Sequence, residues 1–81
     1  MSRRPSGLRK RSIMLAGHAT SVALEPEFWA ALDQLAAQRG GSLAALIADI
    51  DQSRGVRPLA SACRVAALAA AQAFEIGRAH V

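Results

Sequence analysis

The chain has 81 residues, with 10 Lys and Arg against 6 Asp and Glu and a formal net charge of +4. Nineteen of its hydrophobic residues are alanine, and there is one tryptophan, two phenylalanines and no tyrosine, so a single small domain that buries only about 60% of its unfolded surface is expected to complete its core with a second copy. One cysteine, Cys63, excludes an internal disulfide framework and a cysteine zinc site, and the longest apolar run, Val65–Ala71, is far short of the ~20 residues of a membrane helix, which makes a reducing cytoplasm the expected setting.

The charge is concentrated at the start. Residues 1–11 hold Arg3, Arg4, Arg9, Lys10 and Arg11 without an acid, and residues 12–81 carry a net −1. With Pro5, Ser6 and Gly7, and only Leu8 to bury, this stretch reads as a disordered arm. It either lies along nucleic-acid phosphates, releasing counterions, or solvates the terminus. No apolar helical face is present to hold it on a membrane.

His18–Leu24 alternates with period two. His18, Thr20, Val22 and Leu24 share the face expected to be buried, and Ala19, Ser21 and Ala23 the other. One strand cannot stand alone, and its expected partner is the same strand of a second copy. Ser12–Ala16 either extends it or forms a separate strand. Straight continuation would put Ile13 and Leu15 on the polar face, so Gly17 is read as a bulge or turn that resets the phase.

Helix one is predicted to open at Glu25-Pro26, since proline lacks only an N–H that would be unpaired there, and Glu25 and Glu27 suit the positive end of the helix dipole. Phe28, Leu32, Leu35 and Ala36 form its stripe, with Trp29 beside it. Arg39 and Gly40 close it. Helix two is predicted to start from Ser42 as N-cap, with Leu43, Leu46, Ile47 and Ile50 inward and Gly55 ending it. Helix three is predicted from about Pro58 to Glu75, with Leu59, Cys63, Ala66, Ala70 and Phe74 on one face and Val65 and Leu68 off it. Its many alanines raise helix propensity but supply little apolar area, so it is expected to dock on something. The division is therefore an arm at 1–11, a core at 12–57, an additional helix at 58–75, and a tail at 76–81 that is frayed or left from cloning.

Enzymatic chemistry is not expected. Asp49 and Asp51 are two apart and do not share a helix face, and no Ser/His/acid set, phosphate loop or dinucleotide glycine motif is present. His18 has no neighbouring cysteine or second histidine for a metal, so no cofactor is implied. Cys63 reads as a small buried hydrophobe, and Trp29 as core or dimer seam.

The order of strand, helix, Gly-Gly-Ser turn, helix and extra helix resembles the ribbon-helix-helix (MetJ/Arc-type) family over roughly residues 10–72. The run Gly17 to Leu32, with Thr20-Ser21, Leu24-Glu25 and Phe28-Trp29, carries most of the likeness, joined by Leu43, Leu46 and Ile47; it looks like a bacterial subgroup with an added C-terminal helix. The resemblance implies a mainly α fold with one short N-terminal strand. Two chains would intertwine through an intersubunit antiparallel ribbon that enters the DNA major groove. It implies base-facing positions at Ala19, Ser21 and Ala23, of which only Ser21 is a polar reader. Phosphate contacts would fall to the N–H groups near Gly41, Ser42 and Leu43 and to the arm residues Arg3, Arg4, Arg9, Lys10 and Arg11. A dimer core would hold Thr20, Val22, Leu24, Phe28, Trp29, Leu32, Leu46, Ile47 and Ile50. The function so implied is dimeric, DNA-binding and regulatory, with double-stranded DNA and a second copy as partners. The alternative is an antitoxin-like interaction module in which the helix at 58–75 covers another protein and DNA binding is weak or non-specific.

Overall fold

The computed structural model describes residues 7–79, with side chains placed through residue 73. The element order is β1 (Arg9–Leu15), β2 (His18–Leu24), α1 (Pro26–Gln38), α2 (Leu43–Ser53) and α3 (Leu59–Ala79).

The N-terminal part differs from the single strand expected. β1 and β2 form an antiparallel hairpin within one chain, in register from Leu15 opposite His18 to Arg9 opposite Leu24. The two residues between them, Ala16 and Gly17, have φ of +52° and +83°, the positive values that a type I′ hairpin turn needs at both central positions. Gly17 is thus the phase-resetting turn. Reversing the chain there returns Ile13 and Leu15 to the inner face, where each is 7% exposed. β2 therefore takes β1 as its neighbour, in place of the same strand of another copy, along this edge. The basic stretch is corrected as well. Arg9, Lys10 and Arg11 are the first residues of β1, so the ordered core starts before residue 12. Arg3 and Arg4 lie outside the described residues.

α1 opens with Pro26 after an extended Glu25. It closes with Gly40 at φ +72°, where the Gly40 and Gly41 N–H groups donate to the Ala37 and Ala36 carbonyls in a Schellman arrangement. Its buried residues are Trp29, Leu32 and Ala36, with Phe28 and Leu35 partly buried, so Leu32 and Ala36 of the predicted stripe hold and Trp29 takes the place of Phe28. α2 follows Ser42, whose Oγ accepts from the Ala45 N–H at 3.0 Å. It buries Leu46, Ile47 and Ile50. α3 starts at Leu59 and runs past Glu75 to Ala79, so most of the expected tail is helix. Its contact face is turned slightly from the predicted one: Ala62, Cys63 and Ala67 are buried, while Leu59 and Ala66 pack at the margin. The Phe74 side chain falls outside the described residues.

The inner face of the hairpin and the three helices share one cluster. α3 packs on α1, α2 and β2, and α2 packs on β1. Val22, Leu24, Trp29, Leu32, Leu46, Ile47 and Ile50 are all buried within the single chain, so these side chains leave water without a second copy. Thr20 is half-exposed and His18 exposed, although Ile13 and Leu15 directly opposite them are buried. Among the described helices none is long and apolar enough to cross a membrane.

Candidate nucleic-acid interface

A two-stranded antiparallel sheet has two faces, and side chains of directly opposed residues stand on the same one. The inner face buries Ile13, Leu15, Val22 and Leu24. The outer face carries Lys10, Ser12 and Met14 from β1 opposite Ala23, Ser21 and Ala19 from β2. All six are exposed except Ala23, which is half-buried. No acid is among them. Ser12 and Met14 were not singled out from the sequence. The signal was present in the Arg9–Leu15 alternation, but it becomes usable only once Gly17 is known to reverse the chain.

The base of the hairpin is pinned to α1 by one aromatic residue. Trp29, 2% exposed, donates its indole N–H to the Arg9 carbonyl at 2.7 Å. The Arg11 guanidinium lies 4.7 Å from the Trp29 ring centroid and forms a fork with the Asp33 carboxylate at 3.2 and 3.3 Å. This stacking and two-point pairing suit a planar guanidinium. Arg11 is therefore a strut between β1 and α1, which corrects its expected place in a free arm.

Charge pairing elsewhere sharpens the asymmetry of the molecule. Arg39 pairs with Asp49, Arg54 with Asp51 and Arg64 with Glu25. Arg64 also sits over the Phe28 ring at 5.8 Å and holds the Glu25 carboxyl below its ordinary range, first through its hydrogen bond. Among the described residues Arg9, Lys10 and Arg57 have no ion-pair partner. Two of these three, Arg9 and Lys10, stand together at the start of β1.

The second expected anion site is the start of α2. The Gly41 N–H is bonded to Ala36 and the Ala45 N–H to Ser42, so Gly41 is corrected as a donor. Leu43 and Ala44 have no backbone or side-chain acceptor among the described residues, and the Ser42 hydroxyl can still donate while it accepts. A shallow pocket here is lined by Arg39, Gly41, Ser42 and Asp49. Arg39, read from the sequence only as a closing residue of helix one, stands beside this helix start together with Asp49, the carboxylate that pairs with it, so the two add no net charge there.

Residues 8–71 match the family model described as a ribbon-helix-helix domain. The chain belongs to the ribbon-helix-helix family. As such it is a DNA-binding domain of a non-enzymatic class. Its third helix runs on to Ala79, beyond the matched residues. Comparison with curated proteins and with solved structures returned no match.

Proposed function

We propose that this ribbon-helix-helix chain acts as a homodimeric transcriptional regulator that sets its hairpin sheet against the DNA major groove. The observation that carries this reading is the acid-free outer face of the hairpin, which holds unpaired Lys10, with unpaired Arg9 next to it in the strand but on the other face. β1 occupies one edge of β2 and leaves the other unpaired among the described residues. Next to a two-residue turn the pairs Met14–Ala19, Ser12–Ser21 and Lys10–Ala23 are the non-hydrogen-bonded ones. The N–H and C=O groups of Ala19, Ser21 and Ala23 thus point to the free edge, ready for the same strand of a second copy.

The resulting sheet has the order β1-β2-β2-β1. Its four strands span about 14 Å at the usual spacing, and the major groove is about 12 Å wide. The central pair enters and the outer strands ride the walls. The Leu43 and Ala44 N–H groups with the Ser42 hydroxyl hold a phosphate at the positive end of α2, and Arg9 and the basic residues before it add salt-sensitive affinity.

The test is fluorescence anisotropy of a labelled mixed-sequence duplex titrated at rising salt, with sedimentation of the free protein alongside. We expect a dimer whose affinity falls steeply and log-linearly with salt. A monomer, or no binding at the lowest salt, overturns the reading. A second reading draws on Val65 and Leu68, exposed on α3 at 46% and 55%. It has that helix covering another protein, as an antitoxin does, and a failure of all DNA binding would favour it.

A further inference from the structure

Ribbon-helix-helix reading of DNA is assigned to the outward side chains of β2, yet two of these three, Ala19 and Ala23, have no hydrogen-bonding group. Opposite them stand the two longest side chains of the outer face. Met14 faces Ala19 and Lys10 faces Ala23, while Ser12 faces Ser21. In such non-hydrogen-bonded pairs the Cα atoms are only ~4.5 Å apart. A lysine side chain is longer than that separation. Ala23 is half-buried, but its methyl group is too short to block a lysine, so the chain of Lys10 can fold across it towards the centre of the sheet. Lys10 is exposed and has no ion-pair partner among the described residues. Nothing within the described chain holds its ammonium group elsewhere.

We infer that Lys10 of β1 is a sequence-determining residue that reaches across the clearing left by Ala23 to the acceptor edge of a guanine, rather than one more phosphate contact. The inference rests on the DNA-binding reading above. It gives the small residues of β2 a role: they form the floor over which β1 reads. Guanine presents O6 and N7 as paired acceptors in the major groove, which suits a lysine donor. Arg9, the neighbouring cation, falls on the opposite face of β1 and cannot substitute.

The experiment uses the full chain. Wild-type protein selects its preferred duplex from a randomised pool, and affinities for that duplex and for a mixed-sequence duplex are then measured for wild type, Lys10→Ala, Arg9→Ala and Ala23→Leu. For Lys10→Ala the ratio of the two affinities should fall roughly tenfold or more, with a guanine position losing its preference. Ala23→Leu fills the clearing and should reduce the ratio similarly although Lys10 is intact, and the double variant should lose no more than either single one. Arg9→Ala should weaken both duplexes alike. Circular dichroism on each variant separates these effects from unfolding, and Lys10→Arg, which keeps the guanine donor, should retain the preference.

Two outcomes overturn the inference while leaving DNA binding intact. One is a pool that yields no preferred sequence. The other is a Lys10→Ala variant that weakens both duplexes equally and lowers the salt slope by about one, the mark of a phosphate contact. Failure to bind the mixed-sequence duplex at low salt would instead remove the parent reading.

Discussion

The hairpin turn offers the sharpest test of the fold. Ala16 has φ +52°, a left-handed conformation that costs an L-residue with a Cβ about 1–2 kcal/mol. Asparagine tolerates that region, and Asn-Gly is the favoured pair for a type I′ turn. Ala16→Asn should therefore recover about 1 kcal/mol of stability, which for a domain of this size corresponds to roughly 4–8 °C in Tm. Gly17→Ala supplies the opposite sign. A Cβ at Gly17 would meet nothing within 4 Å, so its cost is conformational alone, about 1–2 kcal/mol at φ +83°. The assay is urea unfolding followed by far-UV circular dichroism, at one protomer concentration because association would add to apparent stability. If Ala16→Asn is neutral or destabilising while Gly17→Ala is tolerated, residues 16 and 17 do not close a tight turn and β1 does not pair with β2 in the same chain.

Three other outcomes are expected. Ser42→Ala removes the acceptor for the Ala45 N–H; it should cost ~1 kcal/mol in urea unfolding and weaken every duplex alike, and unchanged stability would contradict the cap. Glu25 is held below its ordinary pKa, first by the Arg64 hydrogen bond. Its contribution should thus be present in full above the ordinary glutamate value and disappear as pH falls through the depressed one; a Glu25→Gln variant should show a flatter acid limb in stability against pH, and an identical limb would count against the pair. The Cys63 thiol is fully buried, and burial pushes its pKa up, so a thiol reagent should label it only after unfolding; rapid labelling of the native protein would place α3 off the core.

Local signals were legible directly. Glu25-Pro26, Gly40 and Ser42 mark helix ends because proline, a left-handed glycine and a capping hydroxyl act through their own backbone or the next turn. The Val22 and Leu24 alternation identified a buried face, and Ile13 and Leu15 showed that something must reset its phase. The helical periodicity located the Leu46, Ile47 and Ile50 stripe of α2 and Leu32 and Ala36 of α1, but took Phe28 over Trp29 as its first member because the two are adjacent and both apolar.

The partner of β2 was not legible in this way. Side-chain alternation specifies which face of a strand is buried, but the edge that bonds presents the same N–H and C=O groups whatever the sequence, so pattern alone does not choose between β1 and a second copy. The tertiary structure made that choice through the Ala16-Gly17 reversal and through Trp29, which meets Arg9 and Arg11 some twenty residues away. It also decided which cations are spent on holding the fold and which remain for DNA, because Arg11 and Asp33 come within reach of each other only when β1 lies against α1. Sequence thus set β2, the helices and their apolar faces, through interactions a few residues long. Strand pairing and the placement of Lys10 opposite Ala23 came from contacts that exist only once the chain has closed on itself.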